Sequence, residues 1–160
     1  LDMVLADRPV PPGMDVKGSS VEWWACALAF FATDDVAIGL TGGFPDSLNG
    51  APLLIPGEDS ALRAPLTRWL ERQGLRPRIV GEFDDSALMK AFGKAGAGIF
   101  PAPVVTSRET ESQYGVIRLG ETGELRERFF AISVERRLTH PAVRAVSEGA
   151  RAGLFAGDVT

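Results

Sequence analysis

The chain alternates short uninterrupted apolar runs with stripes of apolar residues at helical spacing. Residues 21–31 (V-E-W-W-A-C-A-L-A-F-F) lie between Gly18-Ser19-Ser20 and Thr33-Asp34-Asp35, which predicts a buried strand ending near Phe31. Leu53, Leu54 and Ile55 form a second run, closed by the turn pair Pro56-Gly57. Leu62, Leu66, Trp69 and Leu70 then recur at i, i+4, i+7 and i+8, the stripe of an amphipathic helix with Gly74 as its stop. Pro65 interrupts that stripe. A helix beginning right after Ser60 would lack proline's bond to the Ala61 carbonyl and cost about 3 kcal/mol. The spacing therefore predicts a separate turn at 61–64 with regular helix from about Pro65, or else a kink.

The same alternation continues on both sides. Residues 1–6 read as a strand with no turn or cap before it, and Pro9, Pro11, Pro12 and Gly13 break regular structure after it. Thr33 or Asp34 can cap a short helical segment toward Leu40, ended by Thr41-Gly42-Gly43. Residues 76–81 read as a strand. The helix over 85–95 has Asp84 or Asp85 as its cap and Leu88, Met89 and Phe92 as its apolar face, and Gly96 and Gly98 release it into a strand at 98–100. A helix over 103–112 turns Glu109 and Glu111 to solvent. Strands follow at 116–119 and 129–135, and a last helix opens at Thr139 or His140 with Pro141, burying Val143, Val146, Ala150 and Leu154. Strands and helices alternating in this way indicate an α/β open sheet.

Composition narrows the function classes. With 160 residues, 45% of them hydrophobic and 24% charged, the chain can bury one ordinary core. Its net charge of -4 argues against this segment gripping a phosphate backbone itself. A single cysteine, Cys26, excludes an internal disulfide, and its apolar neighbours suggest a buried thiol. No run approaches the roughly 18 apolar residues needed to cross a bilayer, which fits a cytoplasmic location without membrane contact. There is no P-loop, no dinucleotide fingerprint, no nucleophile elbow, no H-E-x-x-H and no Cys-x-x-Cys, so neither an enzyme nor a cofactor or metal site is expected.

Four blocks carry a family resemblance: L-D-M-V-L-A-D-R-P-V (1–10), L-L-I-P-G-E-D-S-A-L (53–62), E-F-D-D-S-A-L-M-K-A-F-G (82–93) and F-F-A-I-S-V-E-R-R-L-T-H-P-A-V (129–143). Together they resemble the effector-binding domain of the LysR-type transcriptional regulators, and the third block resembles the branch that regulates sodium/proton antiporters. The resemblance implies a two-lobed α/β fold of the periplasmic-binding-protein type 2, with subdomain II nearly complete and subdomain I truncated. Residues 1–12 would be a crossover strand and hinge, 13–127 subdomain II, and 128–160 the return crossover strand and C-terminal helix. A winged helix-turn-helix that contacts promoter DNA would precede Leu1. Without strand partners encoded there, residues 1–6 would leave backbone groups unpaired. The resemblance further implies dimers or tetramers and activation of antiporter genes in response to sodium or lithium. A transporter's solute-binding protein shares the fold and is the alternative, and a module without any ligand is a third.

In that family the effector lies between subdomains, touched by strand ends and helix N-termini. The matching positions are Ser60, Phe83, Asp84, Phe100, Pro101 and Ala102, with Pro9, Val10 and Arg128 at the hinge. Plainer structural readings stand beside these: Ser60 as N-cap or turn former, Asp84 and Asp85 as helix caps, Trp23, Trp24 and Trp69 as core or interface, His140 as part of a helix start. An alkali cation would need oxygen ligands, and Glu58-Asp59 with Glu82-Asp84-Asp85 are the acidic groups beside presumed strand ends. A helix N-terminus repels cations, however, so either carboxylates and carbonyls dominate such a site or the effector is an anion.

Overall fold

The computed structural model describes residues 3–6 and 19–134, with side chains described from 25 to 127. Within it the strands are β1 (Met3–Ala6), β2 (Ser19–Ala32), β3 (Pro52–Pro56), β4 (Arg78–Phe83), β5 (Phe100–Pro103) and β6 (Ile117–Val134). The helices are α1 (Asp34–Ile38), α2 (Arg63–Arg72), α3 (Ser86–Lys94) and α4 (Ser107–Tyr114), with single 3-10 turns at Asp46–Leu48 and Val104–Thr106. Two compact units emerge, one of residues 27–126 and one combining 1–26 with 127–160. Strands β2 and β6 contribute residues to both.

In the 27–126 unit, β3 and β4 pair in parallel, joined by α2 as parallel strands require. Ile99 bridges to Leu53 in parallel, and β5 pairs antiparallel with β2, from Leu28 opposite Pro103 to Phe31 opposite Phe100. Successive residues of a strand point to opposite faces, so a run without polar residues must be covered on both. That is the arrangement here. Leu28, Phe30 and Ala32 of β2 with Leu53 and Ile55 of β3 join Leu66, Trp69 and Leu70 of α2. Ala29, Phe31 and Leu54 face the other way and join Met89, Phe100 and Val116. Phe30 stacks on Trp69 with ring centroids 5.5 Å apart, and Phe44 lies 6.3 Å from Trp69. The Trp69 indole N–H is buried and finds no acceptor among the described residues, so this side chain is held by packing alone.

Helix α2 begins at Arg63, two residues before the start its proline suggests. Its first internal bond is from Leu66 N–H to the Leu62 carbonyl, so Pro65 falls in the first turn, where an amide has no helical acceptor and none is lost. The turn at 61–62 and the unbroken run of helix from Arg63 to Arg72 follow from the same geometry. At the other end Gly74 takes φ +66, Leu75 N–H reaches the Leu70 carbonyl, and Gly74 N–H reaches that of Glu71. This is a Schellman stop, and Leu75 and Leu70 both belong to the apolar cluster beneath it.

Several boundaries differ from the sequence reading. Helix α1, capped by Thr33 as expected, stops at Ile38 instead of running toward Leu40, with Gly39 as its C-terminal cap. Strand β4 starts at Arg78, β5 only at Phe100, and regular α-helix in α4 only at Ser107. Glu111 is half-buried, its carboxylate accepting the Arg118 N–H at 3.2 Å, whereas Glu109 faces solvent. The expected pair of strands at 116–119 and 129–135 is the single strand β6. The polar stretch 120–128, given no element in the sequence reading, continues the strand, and its glycine at 120 serves packing: a Cβ there would collide with the Phe44 ring. Leu125 is buried between exposed Glu124 and Arg126, which is strand alternation. Strand β1 finds a partner within the chain, pairing antiparallel with β6 from Met3 opposite Ser133 to Ala6 opposite Phe130, so its backbone is not left open on that side. Cys26 is buried. The proline-rich stretch after β1 and the final helix with His140 lie outside the described residues.

Helix α3 packs against β5 through a missing side chain. Gly93 is buried, and a Cβ on it would collide with the Phe100 ring, which is itself fully buried against Phe31 at 5.8 Å.

The ends of α2 generate a paired prediction. Gly74→Ala should lower stability by about 1 kcal/mol, because an L side chain is strained at positive φ. Pro65→Ala should change it by less than about 1 kcal/mol in either direction. Urea unfolding midpoints of the two variants measure both.

Candidate effector site

Parallel pairing sets the C-terminal ends of β3 and β4 side by side, with Pro56 opposite Phe83. The Gly57 N–H donates to the Phe83 carbonyl at 2.8 Å, carrying the contact one residue past the strand. Beyond this point the chain turns into α2 on one side and α3 on the other, so both helices begin at the same rim. Such rims leave backbone amides free beside the ends of strands.

Three of the six expected site residues stand here. Ser60 is half-buried, and its Oγ accepts the Leu62 N–H at 3.2 Å, which shapes the turn before α2. Asp84 is exposed, and its carboxylate lies where a Cβ on Gly57 would be, so the glycine is what allows the two loops to touch. Phe83 is half-buried and meets Phe92 with ring centroids 5.1 Å apart. Phe100, Pro101 and Ala102 lie in β5 and are almost fully buried, so what they can present is backbone. Of the hinge positions, Pro9 and Val10 lie outside the described residues and Arg128 lies within β6.

Asp85, next to Asp84, caps α3. Its Oδ1 accepts from the Ala87 N–H at 2.8 Å and the Leu88 N–H at 3.4 Å. Arg63 is the rim residue that sequence reasoning missed. Its guanidinium donates to the Pro56 carbonyl at 2.9 Å and to Glu82 Oε1 at 3.0 Å, tying the ends of β3 and β4 to the first turn of α2. Nothing in the chain singled it out, because residues 61–64 were expected to form a turn ahead of the helix. With half of Glu82 exposed, this pair adds geometry more than stability.

The acidic residues do not gather into a cage. Glu82 is engaged by Arg63 and Asp85 by α3, and among the described residues no three His, Cys, Asp or Glu side chains come together to hold a metal ion. The rim thus combines the Arg63–Glu82 pair, the N-termini of α2 and α3, the latter capped by Asp85, and the exposed carboxylates of Glu58, Asp59 and Asp84.

Residues 22–154 match the LysR substrate binding domain family. The chain belongs to that family. It is 36% identical over 155 residues to the transcriptional activator protein NhaR of Escherichia coli K12, an alignment covering 97% of this chain and 50% of that protein. The chain thus spans about half the length of the curated relatives it matches. Among solved structures, the regulatory domain of HypT from Salmonella typhimurium superposes with a TM-score of 0.63 at 18% identity, covering 96% of this chain and 74% of that one. The AmpR effector binding domain from Citrobacter freundii gives 0.62 at 18% identity over 92% and 72%. These likenesses establish the type 2 periplasmic-binding-like α/β fold. Among the described residues, no helix is long and apolar enough to cross a membrane.

The close approach at the rim is testable. Gly57→Ala should displace the Asp84 carboxylate and lower stability by about 1–2 kcal/mol, and Asp84→Ala should relieve most of that loss. A double-mutant cycle by thermal or urea unfolding reads the coupling, and two additive losses would contradict the contact.

Proposed function

We propose that this chain is the effector-sensing part of a LysR-type DNA-binding transcriptional activator that serves sodium/proton antiporter genes and responds to sodium or lithium. The observation that carries the proposal is the 36% identity to NhaR across 97% of the chain. DNA contact is assigned to a winged helix-turn-helix N-terminal to this segment, in keeping with the segment's own net charge of -4. The whole protein works in the cytoplasm as a homo-oligomer, a dimer or tetramer on promoter DNA.

In this reading residues 1–12 and 128–160 carry the crossover strands, with Pro9, Val10 and Arg128 at the hinge, and 13–127 form subdomain II. The effector meets Ser60, Phe83 and Asp84 at the rim and the backbone of Phe100, Pro101 and Ala102. An effector that prefers one arrangement of the subdomains shifts the population toward it, and the bound DNA-reading heads respond through the same equilibrium. A bare alkali cation is poorly served by Arg63 and two helix N-termini. Sodium would have to rely on Asp84, Glu58 or Asp59 and on carbonyl oxygens, while the Arg63 guanidinium is already paired with Glu82 and the first amides of α3 with Asp85.

The test uses the full-length protein with a reporter behind an antiporter promoter. Sodium or lithium should induce it and potassium at equal ionic strength should not. Ser60→Ala and Asp84→Asn should each reduce induction several-fold while promoter binding in gel shift is kept. Induction unchanged in both variants would remove these residues from the effector site, and a full-length protein that binds no promoter would remove the activator reading altogether.

A further inference from the structure

The turn that carries Ser60 into α2 is shaped from within, but its own bonds do not aim it. The Ser60 N–H donates to the Gly57 carbonyl at 3.0 Å, the Arg63 N–H to the Ser60 carbonyl at 3.2 Å, and the Leu62 N–H to Ser60 Oγ. All three bonds lie inside residues 57–63. Leu62, at the start of α2, has no capping side chain to offer, and no carboxylate stands in the first turn of the helix. Leu62 belongs to the apolar cluster beneath and holds the turn down, yet apolar burial is non-directional and does not set an orientation.

Orientation comes from one side chain. Among the described residues, Arg63 alone of 57–63 hydrogen-bonds outside that segment through its side chain, with Nη1 on the Pro56 carbonyl at 2.9 Å and Nη2 on Glu82 Oε1 at 3.0 Å. Glu82 immediately precedes Phe83, the register partner of Pro56, so the guanidinium spans the ends of both parallel strands. A planar fork can do this and the point charge of a lysine cannot. The Arg63 side chain is only 21% exposed and its charge is met by Glu82, which leaves it little to offer an incoming anion.

We infer that Arg63 is the positioning residue of the effector rim. It does not touch the effector; with Glu82 as its counterpart, it fixes where Ser60 stands relative to Phe83 and Asp84. This role rests on the effector contact proposed for Ser60. When the turn holds its binding position for only a fraction of the time, the effector concentration required rises by the inverse of that fraction and the saturated response is unchanged. A folding loss, in contrast, lowers the response at every concentration. Direct contact has a different signature again. Removing Glu82 loosens the turn if Arg63 is a clamp, but bares a guanidinium for anions if Arg63 is a ligand.

The test uses the full-length protein and the antiporter-promoter reporter, titrated with lithium chloride while potassium chloride holds the ionic strength. Arg63→Met should raise the lithium concentration for half-maximal induction by about threefold or more, with the plateau and promoter binding in gel shift kept. Glu82→Ala, at a half-exposed position where the fold tolerates truncation, should shift the midpoint in the same direction. The double variant should be no worse than Arg63→Met alone, and Arg63→Lys should fall between Arg63→Met and the unaltered protein. Without lithium, hydrogen exchange at the Leu62 and Arg63 amides should be faster in Arg63→Met and Glu82→Ala. An unmoved midpoint in Arg63→Met overturns the inference, as do additive shifts in the double variant or unchanged exchange in both single variants. So does a Glu82→Ala protein that gains induction by potassium acetate over potassium chloride, which would make Arg63 an anion ligand. If neither lithium nor sodium induces the unaltered protein, the alkali-cation reading falls instead, and the exchange rates decide the positioning role by themselves.

Discussion

Burial of both faces of β2 and β3 is the constraint on which the rest of this structure depends. Phe30 and Phe31 are neighbours in sequence yet belong to different apolar clusters, as do Leu53 and Leu54. Each pair can leave water only if the sheet is covered on two sides. Helix α2 supplies one cover through Leu66, Trp69 and Leu70, and α3 with β5 supplies much of the other through Met89 and Phe100. Removing about 25 cal/mol per Å² of apolar surface is the driving term, and no single-sided arrangement captures it for these runs.

The rim follows from that cover. Because β3 and β4 are parallel, each must be followed by a connection that travels back along the sheet, and both connections begin where the strands end. Ser60, Arg63, Phe83 and Asp84 are thereby gathered at one edge, although up to 24 positions separate them in sequence. Gly57 lets the two loops close on each other, and Arg63 fastens the first turn of α2 to the ends of both strands. The site is a by-product of how the core is covered, decorated by a few polar side chains.

Much of this was legible in the chain. The runs at 21–31 and 53–55 and the stripe from Leu62 to Leu70 announce β2, β3 and α2 because burial leaves a period that sequence records directly. Caps were legible for the same local reason, as Thr33, Asp85 and Gly74 show. Nonlocal packing was not. Gly120 looks like a loop residue until the Phe44 ring is seen lying against it, and Leu88 and Phe92 look like core, although only Met89 and Gly93 of α3 are buried and Phe92 meets no more than the half-buried Phe83 ring at the rim. Arg63 carries no sequence signal for its two acceptors, since Pro56 and Glu82 reach it only after the strands have paired. Of the positions expected at the effector site, Ser60 and Asp84 were recognisable as loop residues after strands, but the inward orientation of Phe100 to Ala102 depends on which neighbour β5 chooses.

Gly93 and Phe100 carry a consequence for how this domain can drift in evolution. The aromatic ring occupies the room that a side chain on the helix would take, so the two positions share a single allotment of interior volume. At crystal-like packing density neither can grow alone. Descendants of this sequence that acquire a branched residue at 93 must shrink at 100, and the two sites should change as a pair or stay as they are.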